Sequence, residues 1–254
     1  LDTDDVQIEI PMEVRVEEKA VEINEEQIYT MEAQPSNDDD ETIDESGNDR
    51  LNINDKDDIF EKYPELGKNT DMLLSDLAAS LGKTIPELIS SNDNIWSSLV
   101  NIKDHLNSQD VKDCRREAKE EDDPDYLNLL YLVAYLNGSR RNAKIDRVSR
   151  LYFDMNLPSP AHVLDLLRSS YMVQPLAFKC SDKSFYLSLD GRAIPVEKGG
   201  VRLAILSVVA ATRLFNLVFD PQVGDVVRFF YLATGLEVAR KPRAVVRARE
   251  IVGV

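Results

Sequence analysis

Asp123-Pro124-Asp125-Tyr126-Leu127-Asn128-Leu129-Leu130-Tyr131-Leu132-Val133-Ala134-Tyr135-Leu136-Asn137-Gly138 decides the fold class of this chain. Aspartate before proline is a helix start: the carboxylate can accept from a free first-turn amide, and proline sets a helical φ where no donor is needed. From Tyr126 to Leu136 nearly every side chain is apolar, so the helix has no solvent face and belongs in the middle of a core. Gly138 ends it. Such a helix needs other elements around it, and the flanking sequence predicts a mainly α fold with a small β-hairpin.

Downstream, a basic helix is expected from Arg140 to about Asp154. Ser159-Pro160 repeats the cap-and-proline start for a helix reaching roughly Met172, with Val163, Leu164, Leu166 and Leu167 inward. Leu176–Cys180, Ser184–Leu189 and Arg192–Val196 read as short strands, and Asp190-Gly191 is a two-residue hairpin turn. Two apolar helices follow, Val201–Phe219 and about Val223–Ala239, separated by Asp220-Pro221. After Pro242 a basic tail runs to Val254. The apolar stretch Leu203–Phe219 is interrupted by Ser207, Thr212, Arg213 and Asn216. It is short of the roughly 20 residues a bilayer needs, so no membrane partner is expected.

Upstream, ordered structure should begin near Ile59. Asn69-Thr70 caps a helix to Leu81, with Gly82 as its left-handed end. Thr84 caps a short helix near Pro86, and Asn92-Asp93 caps another carrying the stripe Ile95, Leu99, Ile102 and Leu106 beside Trp96. Ser108 caps a charged helix through Glu121. The organisation expected is therefore an arm over 1–58, a small helical region over 59–122 and a basic helical domain over 123–254, with the hairpin near 176–196.

The arm is a different kind of sequence. Asn24–Asp58 is dominated by Asp, Glu, Asn and Ser, and Asp38-Asp39-Asp40-Glu41 is its densest run. Without apolar side chains it cannot offset a chain entropy of about 1–2 kcal/mol per residue, so disorder is expected there. Val6, Ile8, Ile10, Met12, Val14 and Val16 fall on alternate positions, the period of a one-faced strand, and Pro11 suits an edge. A strand over 6–16 would either add to a sheet edge or groove elsewhere, a second copy of the chain included, or, since short strands are marginal alone, be a local hairpin or unstructured.

Charge divides the same way. Leu1–Asp125 holds 36 Asp and Glu against 12 Lys and Arg, and Tyr126–Val254 holds 10 against 18. The overall charge of −16 thus conceals a C-terminal portion of +8, and an acidic protein is not excluded from nucleic acid.

Motifs for catalysis are missing. His105 and His162, the only histidines, are unaccompanied by a nucleophile motif, and no glycine-rich phosphate loop is present. Asp122, Asp123 and Asp125 lack the glycine and the bidentate glutamate of a calcium loop, so helix capping is their expected role. Cys114 and Cys180 make neither a zinc set nor a disulfide framework. No catalytic residue, metal or cofactor is expected, and two reduced thiols fit a cytoplasmic or nuclear protein.

The basic clusters carry the functional expectation. Arg140, Lys144 and Arg147 share a helical face, flanked by Arg141 and Arg150. Arg240, Lys241, Arg243, Arg247 and Arg249 form a second patch; if the tail is extended, Arg243, Arg247 and Arg249 line one side. Either patch can follow a phosphate backbone, and Tyr152 lies near the first for base stacking. Val246-Arg247-Ala248-Arg249-Glu250 is similar to a short C-terminal stretch of the coat proteins of flexible filamentous plant viruses, which also combine a polar arm with a helical core. Those five residues assign no family.

Two readings of function follow. The first is a nucleic-acid-associated structural protein, of the nucleoprotein, coat-subunit or polymerase-cofactor kind. It binds single-stranded RNA and self-associates or meets a partner through its arm, in the cell or in a virion. The second is a protein–protein adaptor or transcriptional regulator whose acidic arm is the binding segment.

Overall fold

The computed structural model describes residues 59–118, 123–137, 146–154, 157–169, 175–197, 200–217, 219 and 222–254. The arm over 1–58, its expected strand at 6–16, Asp122, Gly138 and Asp220-Pro221 lie outside the described residues. All described residues belong to the second of two compact units, Asn48–Val254. They form a mainly α structure: α1 (Ile59–Lys62), α2 (Asp71–Ser80), α3 (Ile85–Ser98), α4 (Ser108–Glu117), α5 (Pro124–Leu136), α6 (Pro160–Ser169), α7 (Val201–Leu214), α8 (Gly224–Thr234) and α9 (Arg243–Val252). A four-stranded sheet accompanies them: β1 (Tyr152–Asp154), β2 (Leu176–Lys179), β3 (Phe185–Leu189) and β4 (Arg192–Pro195).

The α5 helix starts as its sequence demands. The Asp123 carboxylate accepts from the Asp125 amide at 2.9 Å, and Leu129, Leu130, Leu132 and Val133 are fully buried. Around it pack α4, α7, α8, α9 and a 3-10 segment, Leu99–His105. One apolar cluster includes Phe60, Trp96, Leu130, Ile205, Phe230 and Val252. Described residues from both the 59–122 and the 123–254 stretches thus contribute to one core.

Local signals set most helix ends. The Asn69 side chain accepts from the Asp71 amide at 3.0 Å, and beyond α2 Gly82 takes φ 62° while the Lys83 amide reaches the Ala78 carbonyl at 2.9 Å. Thr84 and Glu87 make a reciprocal capping box at the start of α3. Their hydrogen bonds hold the Glu87 carboxyl below its ordinary pKa. Instead of ending before Asn92, α3 runs unbroken through it. Asn92 turns inward, and its amide nitrogen donates to the Arg202 carbonyl at 3.5 Å. The expected stripe is present, with Ile95, Leu99 and Ile102 buried, but its later part is 3-10. The cap of α4 is Asn107, which accepts from the Asp110 amide at 2.8 Å, and Ser108 is the first helical residue.

The basic helix expected over 140–154 is not what its C-terminal half forms. Asp146–Arg150 is 3-10, and Tyr152–Asp154 is β1, paired in parallel with β2 in the register Tyr152 to Ala177. The Leu151 carbonyl accepts from the Ala177 amide at 2.9 Å, so sheet pairing overrides helix propensity here. The other pairs are antiparallel, in the order β1-β2-β3-β4. At the hairpin Asp190 has φ 47° and Gly191 φ 70°, the left-handed pair that a type I′ turn requires. Alternation divides the sheet's faces. Ala177, Leu187 and Ile194 join the main core, while Leu176 and Phe178 form a smaller cluster with Val163 and Leu167 of α6. Leu166, expected inward, is exposed.

The α7 and α8 helices are shorter than expected, and α8 stops at Gly235 with φ 98°. Among the described residues no helix is long and apolar enough to cross a membrane.

Candidate nucleic-acid interface

The C-terminal bases sit on a helix, not on an extended tail. Val245, Ala248 and Val252, spaced by three and four, are buried against α5, α8 and the 3-10 segment Leu99–His105. That spacing is the apolar stripe of an amphipathic helix. Gly253 closes α9 with φ 76°, its amide reaching the Arg249 carbonyl at 2.9 Å. Helical geometry therefore replaces the single extended side expected for Arg243, Arg247 and Arg249. Arg243 and Arg247 lie one turn apart on the outer face with Glu250, while Arg249 is rotated about 240° from Arg243 onto a flank. Arg240 and Lys241 precede the helix. All five bases are exposed, and none makes an ion pair among the described residues.

At the start of α9 the basic charge is unopposed. The first turn of α9 holds Arg243 and no acid, and Pro242 supplies no side-chain cap. A cation at the positive end of a helix dipole costs about 0.3–1 kcal/mol, so the arrangement is unfavourable alone and eased by an anion.

The earlier cluster is not assembled in the same way. Arg140, Arg141 and Lys144 lie outside the described residues, and so does the side chain of Arg147. Arg150, expected on a solvated helix flank, is half-buried at the end of the 3-10 segment and has a partner. Tyr152 is 1% exposed and packs on Tyr126 and Phe185, with ring centroids 5.4 and 6.5 Å away. It cannot stack on a base without leaving the core.

Other charged groups are internal. Arg202, at the start of α7, donates to both oxygens of Asp125 at 2.6 and 2.8 Å and to Asp93 at 3.2 Å, joining the starts of α5 and α7 to α3. The sequence reading did not single out Arg202. Its partners are 77 and 109 residues away, and no local pattern marks them. Asp123 caps α5, and burial pushes its carboxyl above the ordinary value. Ser159 Oγ lies 2.7 Å from His162 Nδ1 at the start of α6, a capping contact on an exposed turn. Among the described residues no group of three His, Cys, Asp or Glu side chains is placed to hold a metal ion.

Comparison with protein-family models, with curated proteins and with solved structures gives no match for this chain.

Proposed function

We propose that the protein is a nucleic-acid-associated structural protein, of the nucleoprotein, coat-subunit or polymerase-cofactor kind. Its exposed bases on and before α9 would hold the phosphate backbone of single-stranded RNA. One observation carries the reading: Arg240, Lys241, Arg243, Arg247 and Arg249 are exposed, close in sequence and without an ion-pair partner among the described residues. Cations so placed bind a polyanion by releasing its counterions, which makes binding tolerant of sequence and strongly dependent on salt. Arg140, Arg141, Lys144 and Arg147 are further candidates on sequence grounds. Arg150 is left out, because it is half-buried and partnered. The charge of residues 1–58, where 21 acids face 4 bases, opposes a phosphate chain and restrains binding.

The test is a titration of the full chain with a labelled single-stranded RNA over a range of salt. Log affinity should fall linearly with log salt. Changing Arg243 and Arg247 together to Gln should reduce the slope by about 1.4, two phosphates at about 0.7 each. Binding that is absent, or indifferent to salt, would overturn the reading in favour of an adaptor.

A further inference from the structure

We propose that the core holds one ordered water molecule between Trp96 and Asn92 on the inner face of α3. Both residues are buried, at 0% and 1% exposure. Among the described residues, the Trp96 Nε1 donor and the Asn92 Oδ1 acceptor each lack a hydrogen-bond partner. Such groups are rare in folded proteins, because burial without a bond leaves their lost hydration uncompensated.

The two orphans are complementary. Trp96 offers one N–H and Asn92 one carbonyl oxygen, so a single water can accept from the first and donate to the second. They are four residues apart on α3, so both project from one helix face, and a helical side chain leans over the preceding turn, which carries the Trp96 ring toward Asn92. Through one shared oxygen, two hydrogen bonds of about 2.9 Å each join a donor and an acceptor that are themselves too far apart to bond. Neither side chain is at liberty to find another partner. The Trp96 ring stacks on Phe230 with centroids 5.5 Å apart and planes 27° from parallel. The Asn92 amide is oriented by its nitrogen, which donates to the Arg202 carbonyl at 3.5 Å. With the nitrogen so engaged, the carbonyl oxygen is the unpaired end. A site between one fixed donor and one fixed acceptor suits water and no apolar ligand.

Trp96 is the only tryptophan in the chain, so its indole N–H gives a single resolved signal in a proton–nitrogen spectrum of the labelled full-length protein. Magnetisation transfer from water to that proton, with the sign of dipolar contact instead of chemical exchange, is the expected result. In Asn92→Leu, which removes the acceptor, the transfer should be lost. An indole proton without dipolar transfer from water would overturn the proposal, and so would transfer undiminished in Asn92→Leu. Should that variant fail to fold, the wild-type spectrum decides alone, since presence or absence of the transfer answers the question.

Discussion

Charges at the start of α7 and charges on α9 follow opposite rules. Arg202 has both oxygens of Asp125 and one of Asp93 within hydrogen-bonding distance, and the three residues tie separate helices together. On α9 and just before it five bases are exposed, the helix itself anchored by a buried apolar stripe, and they make no ion pair among the described residues. The first region uses charge to hold the fold. The second is held by apolar contacts, and its charge is left available. A count of arginines cannot distinguish these cases; the partner across the fold does.

The sharpest way to break this comparison is to attack the apolar anchor of α9. Val245→Asp places a carboxylate at a fully buried position, and a loss of about 3–5 kcal/mol in urea unfolding is expected. A loosely attached tail would accept that change with no shift in the unfolding midpoint. Arg202→Met comes next. It removes charge-assisted bonds to two helices, with an expected loss of about 2 kcal/mol by the same measurement. Unchanged stability would mean that the clamp is decoration. Replacing Arg240 and Lys241 by Gln should move stability by less than about 0.5 kcal/mol, yet weaken RNA binding more at low salt than at high. A drop in melting temperature comparable to that of Arg202→Met would erase the distinction between the regions.

The smallest effect concerns Asp123 beside the clamp. Burial raises its carboxyl pKa in the folded state, so this group favours folding when protonated. Its contribution is present below the ordinary carboxylate pKa and is lost as pH rises through the folded value. Asn caps a helix about as well as Asp, so Asp123→Asn should raise the melting temperature slightly near neutral pH and leave it unchanged in acid. An increase in acid alone would contradict the sign of the shift.

Features written in adjacent residues were legible before the structure. The α5 core helix, the Asp190-Gly191 turn and the stripe Ile95, Leu99 and Ile102 each depend on neighbours in the chain, and each is present. What misled was signal completed elsewhere. Asn92-Asp93 has the composition of a cap, but Asn92 is drawn inward toward a carbonyl 110 residues away. Tyr152–Asp154 is a strand only because β2 lies beside it. The error over α9 was of another kind, since Val245, Ala248, Val252 and Gly253 spelled a helix and its end. The interspersed arginines hide that stripe inside a run of charge. At the candidate interface the sequence supplied the residues, and the helix decided which of them face the same way.

The packing of α2 against α7 has a consequence for how the chain is made. These helices begin about 130 residues apart, and at about 5–20 residues per second a ribosome takes roughly 6–26 s to deliver the second after the first. Throughout that interval α2, whose Leu73, Leu74 and Leu77 end up buried, waits without α7. The acidic stretch that precedes them leaves the ribosome first. Its like charges would repel one nascent chain from another during the period in which exposed leucines would otherwise recruit one another.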